Sequence, residues 1–249
     1  MESIYSLSPG NFLLLLLSGF MIGVSKTGVP GLGMLAIILS AMALPARSST
    51  GIVLVMLICG DIFAVAYYRR SAVWKHLLMI IPWAFCGIVI GYFFLGRIND
   101  RQLKPVIAFI ILSILALNHW WKNSDTGNLR IPERWWFAAF LGLLAGITTM
   151  MANAAGPIMI IYLLAMGLPK KEFIGTSAWY FFIMNWVKVP FSARLGLINS
   201  GSVHLNSMIF PAVVAGALAG IVIMKKIPEK TFSIIVQVLT VAAAIKLLF

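Results

Sequence analysis

Gly23-Val24-Ser25-Lys26-Thr27-Gly28-Val29-Pro30-Gly31 interrupts an apolar run that otherwise extends over residues 9–44. Ala152-Asn153-Ala154-Ala155-Gly156-Pro157 interrupts a second run, over residues 136–168, in the same way. Drawn as one continuous helix, either run would reach roughly 50 Å at 1.5 Å per residue. A bilayer's hydrocarbon core is only about 30 Å thick. Glycine and proline also break a helix where they cluster. Each run is therefore expected to form two short helices meeting at an irregular turn, folded back as a hairpin.

Working outward, six further apolar stretches have the length of a membrane span: 48–68, 76–96, 103–120, 173–193, 203–224 and 232–248. About eight hydropathy segments fill a chain of 249 residues, 61% hydrophobic and 10% charged, with a mean hydropathy of +0.99. Soluble domains carry about 25% charged residues, and a chain this poor in charge could not coat a water-facing surface. A cytoplasmic enzyme, a secreted disulfide scaffold and a disordered regulator are excluded together. The formal charge of +12 sits between apolar runs, which points to membrane loops and away from nucleic acid. Cys59 and Cys86 lie inside apolar stretches and form no disulfide framework or metal motif. Leu13–Leu17 resembles a signal-peptide core but has only Glu2 among charged residues before it, so it is expected to be a retained membrane segment.

The two halves repeat. A shift of 124 places Met42-Ala43-Leu44-Pro45 on Met166-Gly167-Leu168-Pro169, Gly51 on Gly175, Asp61 on Asn185 and Arg70 on Arg194. A shift of 129 then places Pro82 on Pro211, Gly87 on Gly216 and Gly91 on Gly220. Alignment of prolines, glycines and charged positions, rather than of common apolar residues, indicates an internal duplication. Residues 1–121 and 136–249 form the two membrane repeats, joined by a polar connection over 122–135. With hairpins in the broken runs, each half crosses an odd number of times and the repeats are inverted. One face then collects eleven basic residues and the other five, the asymmetry that the positive-inside rule favours. Both termini are then outside. Trp120, Trp121, Trp135 and Trp136 bracket the connection at headgroup level, and the Gly87/Gly91 and Gly216/Gly220 pairs allow close helix crossings.

Ionisable side chains deep in a membrane cost roughly 2.5–3.5 kcal/mol on insertion scales and so mark functional candidates. Three qualify: Lys26, Asp61 and Lys188. Lys26 sits in the first turn beside Ser25 and Thr27, with Gly28 and Gly31 freeing backbone N–H groups. The helix resuming after Pro30 adds the positive end of its dipole. Hydroxyls, N–H donors and an ammonium together suit an anion; the alternative is that Lys26 only reaches an interface or a carbonyl cage. The second turn contributes Thr148, Thr149 and Asn153 before the chain resumes at Gly156-Pro157. Asn185 and Lys188, three apart, share a helix face. Lys188 either pairs with Asp61 or acts as a second anion ligand. Asp61 is the coupling candidate if transport takes a proton, unless a salt bridge holds it ionised.

Other signals fail. Ser25-Lys26-Thr27 is similar to the end of a phosphate-binding loop, but Phe20 and Ser25 occupy its two glycine positions. His76, His119 and His204 stand singly. No catalytic set and no metal cluster can be assembled, so no enzyme, no cofactor and no nucleic-acid partner is expected.

Gly23 to Gly31, Ala152 to Pro157, and Asn185-Trp186-Val187-Lys188-Val189-Pro190-Phe191 together resemble the paired motifs of the sulfite exporter TauE/SafE family, also called toluene sulfonate uptake permeases. The resemblance covers nearly the whole chain, including its duplication. It implies a multi-pass inner-membrane carrier of sulfite, thiosulfate or small organosulfonates. The sequence-based expectation is thus an all-α secondary transporter working as a monomer or homodimer in the lipid bilayer. A small anion would bind at the midplane between the repeats, contacting Ser25, Lys26, Thr27, Gly28, Gly31, Thr149, Asn153, Gly156, Asn185 and Lys188. An anion channel and a non-transporting membrane subunit are the rivals.

Overall fold

Both broken runs fold back on themselves. The computed structural model describes residues 7–28, 31–123 and 135–223, together with 238, 241 and 245. Most of the stretch expected to span over 232–248 and most of the connection between the halves lie outside the described residues.

Helix α1 (Pro9–Thr27) starts where Ser8 Oγ accepts from the Asn11 amide at 3.2 Å, with proline at the first helical position. It ends at Gly28, and α2 (Leu32–Ala43) begins after Gly31, whose φ of 107° favours a residue without a Cβ. Ser18 in the middle of α1 donates to the Ala36 carbonyl at 2.8 Å and bonds the Ser40 hydroxyl at 2.7 Å, so α2 runs back along α1. In the second run, α6 (Trp135–Ala152) and α7 (Gly156–Ala165) are separated by Asn153, which has a φ of 54°. The Phe137 ring, from the start of α6, stacks on Tyr162 near the end of α7 at 6.3 Å, and the direction again reverses. At 1.5 Å per residue, α2 and α7 reach only about 18 and 15 Å, roughly half of the hydrocarbon thickness.

The remaining helices are α3 (Ala46–Tyr68), α4 (Trp74–Arg97), α5 (Asp100–Asn123), α8 (Lys170–Arg194) and α9 (Ser200–Ile223). Their boundaries follow local chemistry. Pro45 and Pro169 precede α3 and α8. Reciprocal bonds between Asn99 and Gln102 open α5, and between Asn199 and Ser202 open α9. Among the described residues, five spans are long and apolar enough to cross a membrane: Pro9–Thr27, Ala46–Ser71, Trp74–Arg97, Trp135–Ala152 and Ser200–Val222. Leu78, Phe93, Phe109 and Phe140 point outward, each more than half exposed. Apolar residues on such an outer surface suit lipid. The chain is an all-α, polytopic membrane protein.

Two extensive contacts hold the bundle, α1 against α9 and α4 against α6. Glycine makes both possible. A Cβ on Gly146 would come 2.8 Å from Gly87 Cα, and one on Gly23 would come 2.9 Å from the Gly216 carbonyl carbon. Backbones this close leave no room for any side chain, and dispersion between them replaces the hydrophobic effect that lipid does not supply. Helices α3 and α8 pack on each other between these pairs. Their contact carries the site.

Candidate functional site

Asp61 lies fully buried near the end of α3. One oxygen, Oδ1, is 2.7 Å from Lys26 Nζ of α1. The other accepts from Asn185 Nδ2 of α8 at 2.6 Å. Lys26 reaches this position because Gly60 is small. A Cβ there would stand 2.9 Å from Lys26 Cγ. The ammonium also lies 4.3 Å from the centroid of the Phe181 ring, a cation–π contact worth about 0.5–2 kcal/mol. Of the three ionisable members, Lys26 alone keeps a perceptible opening, 12% of its side-chain surface.

Lys188, one turn beyond Asn185 on α8, is 1% exposed. Its Nζ is held by three oxygens: the Thr149 carbonyl at 3.1 Å, Thr149 Oγ1 at 3.0 Å and Asn153 Oδ1 at 2.6 Å. A carbonyl and an amide oxygen can only accept, so this cage suits an ammonium with its three donors. Asn153 Nδ2 donates to the Thr50 carbonyl at 3.0 Å, which turns Oδ1 toward Lys188. No carboxylate balances this lysine among the described residues. A buried ion costs several kcal/mol even after relaxation, and these neutral dipoles are what this ammonium has in place of a bonded carboxylate.

The turns thus contribute unequally. Lys26, Thr149, Asn153, Asn185 and Lys188 converge on Asp61 and its surroundings. Of the two roles open to Lys188, pairing with Asp61 is not what the structure has: Lys26 is the ion-pair partner. Backbone groups engage the hydroxyls of both Ser25 and Thr27. Ser25 Oγ accepts from the Gly33 amide at 3.2 Å and closes the first turn of α2. Thr27 Oγ1 donates to the Ala217 carbonyl at 2.7 Å and ties α1 to α9. Gly28 packs against the Gly220 backbone, and Gly31 shapes the turn. Gly156 is open: a Cβ there would meet nothing within 4 Å. Phe181, Gly60 and Thr50 were not legible as site residues. The only trace was Gly60 standing directly before the buried acid.

The family model for the sulfite exporter TauE/SafE matches residues 15–247. No curated protein and no solved structure gives a match. The matched span includes the second broken hairpin, the first from Leu15 onward, and every residue of the buried cluster. The chain belongs to the sulfite exporter TauE/SafE family.

Proposed function

We propose that the protein is a secondary transporter of sulfur-containing anions in a cell (inner) membrane, and that the anion is seated among Lys188, Lys26, Thr149, Asn153 and Asn185. The observation that carries this is the charge of the cluster. Two lysines meet one carboxylate where both interrupted hairpins approach α3 and α8, and one positive charge is unanswered. Anionic substrate oxygens replacing the neutral ligands of Lys188 would accept the same hydrogen bonds and pair its charge as well. The pyramidal or tetrahedral oxygens of sulfite, thiosulfate and sulfonates suit several N–H donors at once.

The two halves act as duplicated, inverted repeats in this proposal. Helix order supports the duplication: lengths of 19, 12, 23 and 24 residues for α1–α4 are followed by 18, 10, 25 and 24 for α6–α9. The reciprocal packing of α1 on α9 and α6 on α4 is what exchange of the halves would produce. Alternating access then moves one repeat against the other around a fixed central site. Asp61, held between Lys26 and Asn185, is the coupling residue if a proton accompanies the anion.

Uptake of sulfite, thiosulfate and methanesulfonate into proteoliposomes tests the proposal. Saturable entry, accelerated by the same anion inside, is expected of alternating access. Flux that neither saturates nor responds to internal substrate would identify a channel. An absence of flux would identify a membrane subunit without transport of its own.

A further inference from the structure

The charge count extends to stoichiometry, and this step rests on the transport proposal above. With Lys26 and Lys188 as ammonium groups and Asp61 ionised, the cluster carries one net positive charge. A monoanion brings the closed site to neutrality. A dianion leaves it at minus one, in surroundings where each unbalanced ion costs several kcal/mol. One proton restores neutrality, and among the ionisable members of the cluster only Asp61 gains a proton at the expense of a negative charge.

We infer that this site carries a dianion together with one more proton than it carries with a monoanion, and that the carboxylate of Asp61 holds the additional proton.

The geometry suits this exchange. Asp61 Oδ2 is fixed by Asn185 Nδ2, while Oδ1 faces Lys26. Protonation of Oδ1 releases Lys26 from its ion pair and turns its ammonium to the second charge of the substrate. Lys26 is also the member with an opening to its surroundings. On α3 itself Cys59 lies two residues away and Tyr67 and Tyr68 close the helix, while Arg69 and Arg70 stand just past its end, more than two helical turns beyond Asp61. From α8 the facing groups are Asn185 and Lys188, and from α1 Lys26 alone. Helix α2 has no ionisable residue. On α9, His204 is exposed in the second turn. At the start of α5, Asp100 accepts from the Arg47 amide, with Arg101 and Lys104 alongside. That is about 20 Å along α3 from Asp61.

The test uses thiosulfate as dianion and methanesulfonate as monoanion, because neither titrates near neutral pH as sulfite does. Purified full-length protein in proteoliposomes is supplied with each labelled anion while a trapped dye reports lumenal pH. Thiosulfate entry is expected to bring in one proton more per anion than methanesulfonate entry, and Asp61→Asn to abolish the difference. In detergent, the wild-type affinity ratio of thiosulfate to methanesulfonate should fall by up to about tenfold per pH unit as pH rises. This second measurement needs no variant. Equal proton counts for the two anions, or a pH-independent affinity ratio, would overturn the inference and leave the transport proposal standing. Failure of both anions to enter or bind would overturn the transport proposal itself, and the inference with it.

Discussion

Asp61 Oδ2 and Asn185 Nδ2 meet at 2.6 Å across the contact of α3 with α8, although 124 residues separate them. That separation equals the offset that lays Met42–Pro45 on Met166–Pro169. Under the proposed duplication, equivalent positions of the two halves therefore come face to face, and they differ in chemistry. Two carboxylates would repel here. One carboxylate and one amide instead form a charge-assisted bond, worth about 1.5–3 kcal/mol when buried groups are involved.

Replacing this amide tests both its structural and its electrostatic parts. Asn185→Ala leaves Asp61 Oδ2 without its donor and should lower stability by about 1–3 kcal/mol, read as thermal unfolding in detergent. Asn185→Asp adds a second negative charge and cancels the positive excess of the cluster. Methanesulfonate affinity should then fall at least tenfold, and a titration against wild type checks it.

The two lysines should respond differently to loss of charge. Lys26→Met leaves Asp61 buried and unpaired, a change that typically costs about 3–5 kcal/mol. Adding Asp61→Asn removes the unpaired charge and should restore most of that stability. The double variant keeps Lys188 and a net charge of plus one, so it should still bind methanesulfonate. Lys188→Met should lose that binding while retaining the Lys26–Asp61 pair. Binding unchanged in Lys188→Met would remove that residue from the site.

Ser25 separates a cap from a ligand. Its hydroxyl accepts from the Gly33 amide at the start of α2, so Ser25→Ala should cost about 1 kcal/mol, the usual value of a helix cap. Anion affinity, measured on the same preparation, should stay within twofold of wild type. A tenfold loss of affinity at unchanged stability would return Ser25 to the ligand set.

Two glycines give opposite expectations for the same substitution. A Cβ on Gly87 would meet the Leu143 carbonyl and stand 2.9 Å from Gly146 Cα. Gly87→Ala must push α4 and α6 apart, at a cost of about 1–3 kcal/mol. Gly156→Ala meets nothing within 4 Å and should change stability by no more than about 0.5 kcal/mol. Any fall in anion affinity with Gly156→Ala then reports substrate at the first turn of α7.

Residues 9–44 and 136–168 were legible as broken hairpins because a nonpolar slab of fixed thickness constrains both length and composition. A run too long for one crossing, with glycine and proline in its middle, has few ways to satisfy its backbone. The candidate lysines and the acid stood out for the same reason, since charge is rare where it is expensive. Which charge met which was another matter. Lys26 and Asp61 stand 35 residues apart along the chain, and so do Asn153 and Lys188. Spacing alone therefore treats both lysines alike. Packing decided between them. Gly60 lets the Lys26 stem pass to Asp61, and the left-handed turn at Asn153 carries its amide to Lys188. The same packing set the Ser25 and Thr27 hydroxyls to tie helices together. Sequence determined that an all-α membrane bundle would bury two lysines and one acid. The tertiary structure alone decided that one lysine is neutralised and the other is not, because charge pairing depends on distances of a few ångströms that only helix packing sets.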